Sequence, residues 1–139
     1  MKNTYALITG ASSGIGSEIA TELAKKGFNI ILTARREDRL ISLSKELKER
    51  FGVEADYVTG DLALPSTPQE IYNFCEEKNY EVEILVNNAG YGIPDQFHKV
   101  SMEEEEKNIR VLSTSVIALS KIFLPKMLDK KSGKIMIIS

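Results

Sequence analysis

The chain has 139 residues, of which 42% are hydrophobic and 27% are charged, and its formal net charge is −2. This length and composition predict one globular domain, residues 1–139, that is large enough to bury a core. The small net charge gives no electrostatic basis for binding nucleic acid or an anionic membrane surface. A single cysteine, Cys75, excludes an internal disulfide, and with a single histidine, His98, it cannot form a dedicated zinc site.

The amino-terminal residues show no targeting signal. Lys2 alone precedes the first apolar run, which is far too short to span a bilayer. We therefore expect no signal peptide, no membrane partner and a cytoplasmic location.

Hydrophobic periodicity predicts strands and helices in alternation along the chain. The predicted strands are residues 5–8, 29–34, 54–59, 82–86 and 134–138. The predicted helices are residues 14–26, 37–51, a segment that starts at 67, and 101–130. Alternation of this kind predicts an α/β fold with a doubly wound parallel sheet of the Rossmann type, with the expected strand order 3-2-1-4-5.

A glycine-rich turn follows the first strand, and a helical pattern starts within it. Glycines let the turn close and let a ligand approach the backbone, while the unpaired N–H groups of a first helical turn attract an anion. A tight strand-to-helix turn without a ligand is the alternative interpretation. The candidate phosphate-binding residues are Gly10, Ser12, Ser13, Gly14, Ile15 and Gly16.

Arg35 and Arg36 follow the second strand, and no acidic residue stands at the strand end. In dinucleotide-binding folds this position lies beside the adenosine ribose. An acid there binds the 2′-hydroxyl of NAD, whereas arginine suits the 2′-phosphate of NADP. The pair therefore favours NADP, with NAD as the less favoured cofactor. Alternatively, these arginines form a solvated helix start that pairs with Glu37 and Asp38.

Local patterns predict how the first and third helices are placed. Ile15, Ile19 and Leu23 form an apolar stripe that should pack on the sheet. Thr67 is the predicted N-cap of the third helix, with a capping box to Glu70. The inner face of this helix should carry Cys75 as a core residue.

The long helix over 101–130 should begin with a capping box from Ser101 to Glu104. Pro125 should kink or end it. Its predicted inner stripe is Ile109, Leu112, Val116, Leu119, Phe123 and Met127. The fifth strand should lie at an edge of the sheet and present unpaired apolar residues that are prone to association.

The turn Thr9-Gly10-x-x-x-Gly14-x-Gly16, together with N-N-A-G after the fourth strand, resembles the short-chain dehydrogenase/reductase family. The resemblance covers the whole chain but only about the first half of such an enzyme. It implies hydride transfer between NADP and a small-molecule carbonyl or alcohol. It also implies that the following residues line the adenosine and its ribose: Asp61, Leu62, Asn87, Asn88, Ala89 and Gly90. For Asp61, an ordinary turn aspartate is the alternative.

The resemblance also implies where the chemistry of such an enzyme lies. The family uses a serine after strand five and a Tyr-x-x-x-Lys motif on the next helix. The chain contains no such motif, and Ser139 matches only the first of the two small residues that usually end strand five. We therefore expect the chain as given to contain no catalytic residue and to be inactive. Counting back from Leu124 and Pro125, Leu112 stands where the family has a helix asparagine that supports a proton relay.

Two further predictions concern the oligomeric state of the protein and an alternative function. The resemblance implies a homo-oligomer that forms through the 101–130 helix. The alternative to an oxidoreductase is a non-catalytic dinucleotide-binding or interaction module. A Rossmann-type methyltransferase is disfavoured, because Thr9-Gly10 and N-N-A-G together fit nicotinamide reductases better.

Overall fold

The computed structural model describes residues 4–12, 14–91 and 93–139. The strands are β1 (Thr4–Thr9), β2 (Asn29–Ala34), β3 (Ala55–Thr59), β4 (Glu81–Asn87) and β5 (Lys134–Ile137). The α-helices are α1 (Gly14–Lys25), α2 (Glu37–Phe51), α3 (Thr67–Glu77), α4 (Met102–Ile109) and α5 (Ser115–Lys130). A 3₁₀ turn, Phe97–Lys99, precedes α4, and a π-helical turn, Arg110–Thr114, joins α4 to α5.

The strands form one parallel five-stranded sheet in the order β3-β2-β1-β4-β5. This confirms the predicted fold class and strand order, and the predicted strand bounds agree with the structure to within one residue. The carboxyl ends of β1, β2 and β4 therefore lie side by side at one edge of the sheet, which is where open α/β sheets bind ligands.

Helices cover both faces of the sheet. Because successive strand residues point to opposite faces, neighbours such as Leu7 and Ile8 belong to different cores. One core joins the sheet to α1 and α2 and includes Leu40 and Leu47. The other joins it to α3 and α5 and includes Leu119 and Cys75, so the predicted core position of Cys75 is confirmed.

Helix α1 lies on the sheet through its smallest residues. Gly16, Ala20 and Ala24 are buried, whereas Ile15 is 61% exposed. The predicted stripe is therefore wrong at Ile15, although its continuation, Ile19 and Leu23, packs at the margin of the core. Small side chains let the helix approach the sheet closely, which turns the bulkier stripe toward the outside.

The start of α3 also differs from its prediction. Ser66, not Thr67, is the N-cap residue, and its side chain makes no capping hydrogen bond. Thr67 is inside the helix, and its hydroxyl donates to the backbone carbonyl of Asp61 at 2.6 Å. The predicted capping box from Thr67 to Glu70 is wrong, because the Thr67 hydroxyl is used to hold the preceding turn.

The capping box at the start of α4 is confirmed in part, since Ser101 Oγ accepts from the Glu104 N–H at 3.1 Å. The inner stripe is different from the predicted one. The buried residues are Val111, Ser115, Leu119, Phe123 and Met127, while Ile109 is 57% and Leu112 is 49% exposed. The π-helical turn explains the difference, because it places more residues in one turn than an α-helix does and shifts the inner face by one position.

Pro125 lies inside α5, which continues to Lys130 and ends at Lys131, a residue in the left-handed conformation. Of the two outcomes predicted for Pro125, a kink or the end of the helix, the second is therefore wrong. By length and apolar composition alone, the segment Met102–Lys130 could cross a membrane. In this fold it packs against the sheet and α3 through Leu119, Phe123 and Met127.

Candidate functional site

A cleft of about 460 Å³ lies along the carboxyl ends of β1, β2, β3 and β4. This volume is in the range of small-molecule and cofactor sites. Its floor is the turn between β1 and α1, and its sides come from the segments after β2, β3 and β4. The lining residues are Gly10, Ser12, Ile15, Thr33, Ala34, Arg35, Arg36, Gly60, Asp61, Leu62, Asn88, Ala89, Gly90, Tyr91 and Val111.

Thr9 ties the glycine turn to the N-N-A-G segment. Its hydroxyl oxygen accepts from the N–H groups of Asn88 and Ala89, both at 2.9 Å. The same hydroxyl donates to the carbonyl of Val86 at 3.4 Å. The Asn88 side chain completes the link, since its Nδ2 donates to the carbonyl of Gly10 at 3.2 Å. Two motifs that are far apart in sequence are thus one hydrogen-bonded unit.

The glycines of this turn have distinct physical roles. A Cβ atom on Gly10 would lie 2.8 Å from the Cα of Ala89, and one on Gly16 would overlap the carbonyl of Gly10. These two positions are therefore set by close packing. Gly14 has open space around it but a φ of 58°, a backbone conformation that favours glycine.

The two arginines after β2 have different partners. Arg35 places its guanidinium carbon 5.6 Å from the ring centroid of Tyr91, on the opposite side of the cleft. Arg36 lies 4.0 Å from the carboxylate of Asp38, at the exposed start of α2. The alternative of a solvated, paired arginine thus describes Arg36 in this structure, although its side chain still lines the cleft.

Asp61 combines a turn role with a place on the cleft wall. Its Oδ1 accepts from the N–H of Ala63 at 2.9 Å, and its backbone carbonyl accepts from Leu64 and Thr67. Leu62, the next residue, is buried in the core beside α3 and also reaches the lining.

Asn87 and Leu112 lie at the β4 side of the site. Asn87 is buried, and its Nδ2 has no hydrogen-bond partner among the residues that the structure describes. Leu112 lies over Gly90, where an added Cβ would be 2.7 Å from a Leu112 methyl carbon. An apolar side chain therefore covers the end of the N-N-A-G segment.

Most of the site residues that were predicted from the sequence line this cleft. Gly14, Gly16 and Asn87 lie next to lining residues but do not line the cleft themselves, and Ser13 lies outside the described residues. Sequence reasoning missed Thr33, Ala34, Gly60, Tyr91 and Val111. Their adjacency to predicted site residues was a usable signal for all but Val111, which the π-helical turn brings inward. As cofactor ligands, the candidates remain predictions.

Three ionisable groups with shifted pKa values lie away from the cleft. Burial raises the pKa of the Cys75 thiol to about 12. Burial, together with a hydrogen bond from its hydroxyl to Asp56 at 2.7 Å, raises the pKa of Tyr80. The pKa of Glu76 is lowered because Lys126 donates to its carboxylate. Cys75 and Glu76 belong to α3, and Tyr80 stacks on Tyr5 of β1; none of the three lines the cleft.

Comparison with known proteins identifies the family of this fold and cleft. The short chain dehydrogenase family profile matches residues 4–139. The chain belongs to the short-chain dehydrogenase family. A very-long-chain 3-oxoacyl-CoA reductase of Candida glabrata is 37% identical over 125 residues, which is 87% of this chain and 35% of that protein. The human protein named inactive hydroxysteroid dehydrogenase-like protein 1 is 37% identical over 142 residues, 97% of this chain and 41% of that protein.

Solved structures of the short-chain dehydrogenase family agree with the fold. A short-chain dehydrogenase from Sphingobium yanoikuyae, solved in complex with NADPH, superimposes with a TM-score of 0.89 at 32% identity. The match covers 98% of this chain and 52% of that one. The chain thus spans about half of that protein and well under half of the curated relatives named above.

Proposed function

We propose that this chain is the cofactor-binding half of an NADP(H)-preferring oxidoreductase that transfers hydride between nicotinamide and a carbonyl or alcohol. The observation that carries the proposal is that the glycine turn and both arginines after β2 line one cleft. The NADPH held by the Sphingobium structure supports the choice of cofactor, and the name of the Candida relative, a 3-oxoacyl-CoA reductase, supports a carbonyl substrate.

In this proposal, different residues of the cleft bind different parts of the dinucleotide. The backbone at Gly10–Gly16 and the N-terminus of α1 provide N–H groups and dipole for the pyrophosphate. Arg35 and Arg36 provide charge for the 2′-phosphate. Asp61, Leu62 and the N-N-A-G segment form the walls beside the adenosine. When bound, the nicotinamide supplies the hydride, and the chain's own contribution is to hold and orient it.

Calorimetric titration of the purified chain with NADPH and NADH tests the proposal. NADPH should bind more tightly, and Arg35→Asp with Arg36→Ala should remove that preference by weakening NADPH binding. Arg50→Ala is the matched control, because it removes an exposed arginine of α2 that pairs with Glu46 outside the cleft. Unchanged NADPH affinity in the double variant would refute the phosphate assignment.

A second candidate is a non-catalytic dinucleotide-binding module. Leu112 favours it, since leucine cannot hydrogen-bond at the position where the family resemblance implies a proton-relay asparagine. The name of the human relative, inactive hydroxysteroid dehydrogenase-like protein 1, favours the same candidate. Assaying the longest native form of the protein decides between the two: NADPH binding without turnover of any ketone supports the module, and turnover refutes it.

We also propose that the protein forms a homo-oligomer through the 101–130 helix. Ile117, Leu124 and Leu128 are exposed on α5, and their spacing places them on one face of the helix. An exposed apolar face of this kind marks an interaction site. Light scattering after size-exclusion chromatography should give a multiple of the chain mass, and Ile117→Lys should reduce it. A cytoplasmic location stays a prediction, to be checked by cell fractionation.

A further inference from the structure

The contact between Arg35 and Tyr91 joins the two sides of the cleft. The guanidinium carbon lies 5.6 Å from the ring centroid, which is within the distance of a cation–π interaction. Both side chains line the cleft, and they come from segments that follow different strands.

The strand order shows what this contact spans. β1 lies between β2 and β4, and adjacent strands are about 4.8 Å apart, so the ends of β2 and β4 are separated by about 10 Å. Arg35 follows β2 and Tyr91 follows the N-N-A-G segment after β4. The contact therefore crosses the end of β1, where the glycine turn begins at Gly10.

The contact crosses the cleft that the proposed function assigns to the dinucleotide. We propose that Tyr91 is a positioning residue that holds Arg35 across the cleft as a latch, which every dinucleotide must open. This inference rests on the proposed function. A 2′-phosphate offers the released guanidinium a new charged partner, whereas a nucleotide without it offers none. Arg36, which lies beside Asp38 on its own side of the cleft, does not take part.

The latch makes a distinctive prediction for NADH. Binding of NADH breaks the contact between Arg35 and Tyr91 but gives the Arg35 guanidinium no new charged partner. Tyr91→Leu should tighten NADH binding about two- to fivefold, the range expected for an exposed cation–π pair. Arg35→Gln should tighten it by a similar factor, and the double variant should gain no more than either single one. Tyr91→Phe, which keeps the ring, should behave as wild type.

NADPH separates the two roles of Arg35. Tyr91→Leu should tighten NADPH binding by the same factor as NADH, whereas Arg35→Gln should weaken NADPH binding. A ligand-free measurement accompanies the titrations: the NMR resonance of the Arg35 Nε–H group should lose its ring-current shift in Tyr91→Leu and keep it in Tyr91→Phe.

The outcomes are distinguishable. Weaker binding of NADH to Tyr91→Leu, or independent and additive effects in the double variant, would overturn the latch while leaving the proposed function standing. An Arg35 resonance that does not respond to Tyr91→Leu would also overturn it. If the wild-type chain binds neither nucleotide, both the proposed function and the latch are wrong.

Discussion

The Thr9 hydroxyl is the best place to test how the site is held together. Replacing it by valine keeps the shape of the side chain but removes the acceptor for the N–H groups of Asn88 and Ala89. Thr9 is buried, at 1% exposure, and Asn88 and Ala89 beside it are half-buried. In the variant, the N–H groups of Asn88 and Ala89 would therefore regain hydrogen bonds to water only in part. An unsatisfied buried donor costs about 1–3 kcal/mol. Because the donors are only partly buried, we expect Thr9→Val to lower the free energy of unfolding by about 2–4 kcal/mol.

Equilibrium urea unfolding measures this loss, and Thr33→Val is its matched control. Thr33 is the partner of Thr9 in the β1–β2 register and is also buried. Among the hydrogen bonds of the described residues, none involves the Thr33 hydroxyl. Thr33→Val should therefore change stability by well under half as much. Equal losses in the two variants would refute the reasoning, since they would mean that the hydrogen bonds of Thr9 contribute nothing beyond burial of its side chain.

Three further predictions concern packing and ionisation. Gly16→Ala should destabilise the fold by about 1–3 kcal/mol through overlap with the neighbouring turn, and Gly14→Ala by about 1 kcal/mol through backbone strain alone; urea midpoints rank them, and the reverse order contradicts the packing argument. Cys75, with its raised pKa and full burial, should resist a thiol reagent at pH 8 until the chain unfolds; rapid native-state labelling would contradict this. Glu76→Gln should cost at most about 1 kcal/mol at pH 7. Because the folded pKa of Glu76 is lowered, that cost should be present above the ordinary pKa of glutamate and should decline as the pH falls through the lowered folded pKa; a cost that does not decline with falling pH would contradict the assignment.

The sheet was predictable because β1, β2 and the second half of β4 are nearly continuous apolar runs that end in glycine or polar residues. That pattern identifies strands covered on both faces, and helices between them leave few possible topologies. The glycine turn was predictable for the same reason, since Gly10 and Gly14 stand where a strand pattern changes into a helix pattern.

Helix faces were harder to predict, because apolar periodicity assumes one regular turn. The π-helical turn at Arg110–Thr114 breaks that assumption, so Val111 and Ser115 are buried in place of Leu112 and Val116. In α1, close approach through Gly16 and Ala20 overrode the bulkier stripe that begins at Ile15. Contacts across the cleft, such as Arg35 with Tyr91, depend on tertiary placement that no local pattern contains.

The link between Thr9, Asn88 and Ala89 has a consequence for how the site forms during synthesis. The bonded groups are 79 and 80 residues apart in the chain, so the glycine turn cannot be fixed by its own neighbourhood. It becomes rigid only after β4 has been made and has paired with β1, a contact that closes a long loop. A growing chain therefore exposes its glycine turn early but acquires a formed cleft late. If the chain binds a dinucleotide as proposed, that ligand would stabilise the last stage of assembly and not the first.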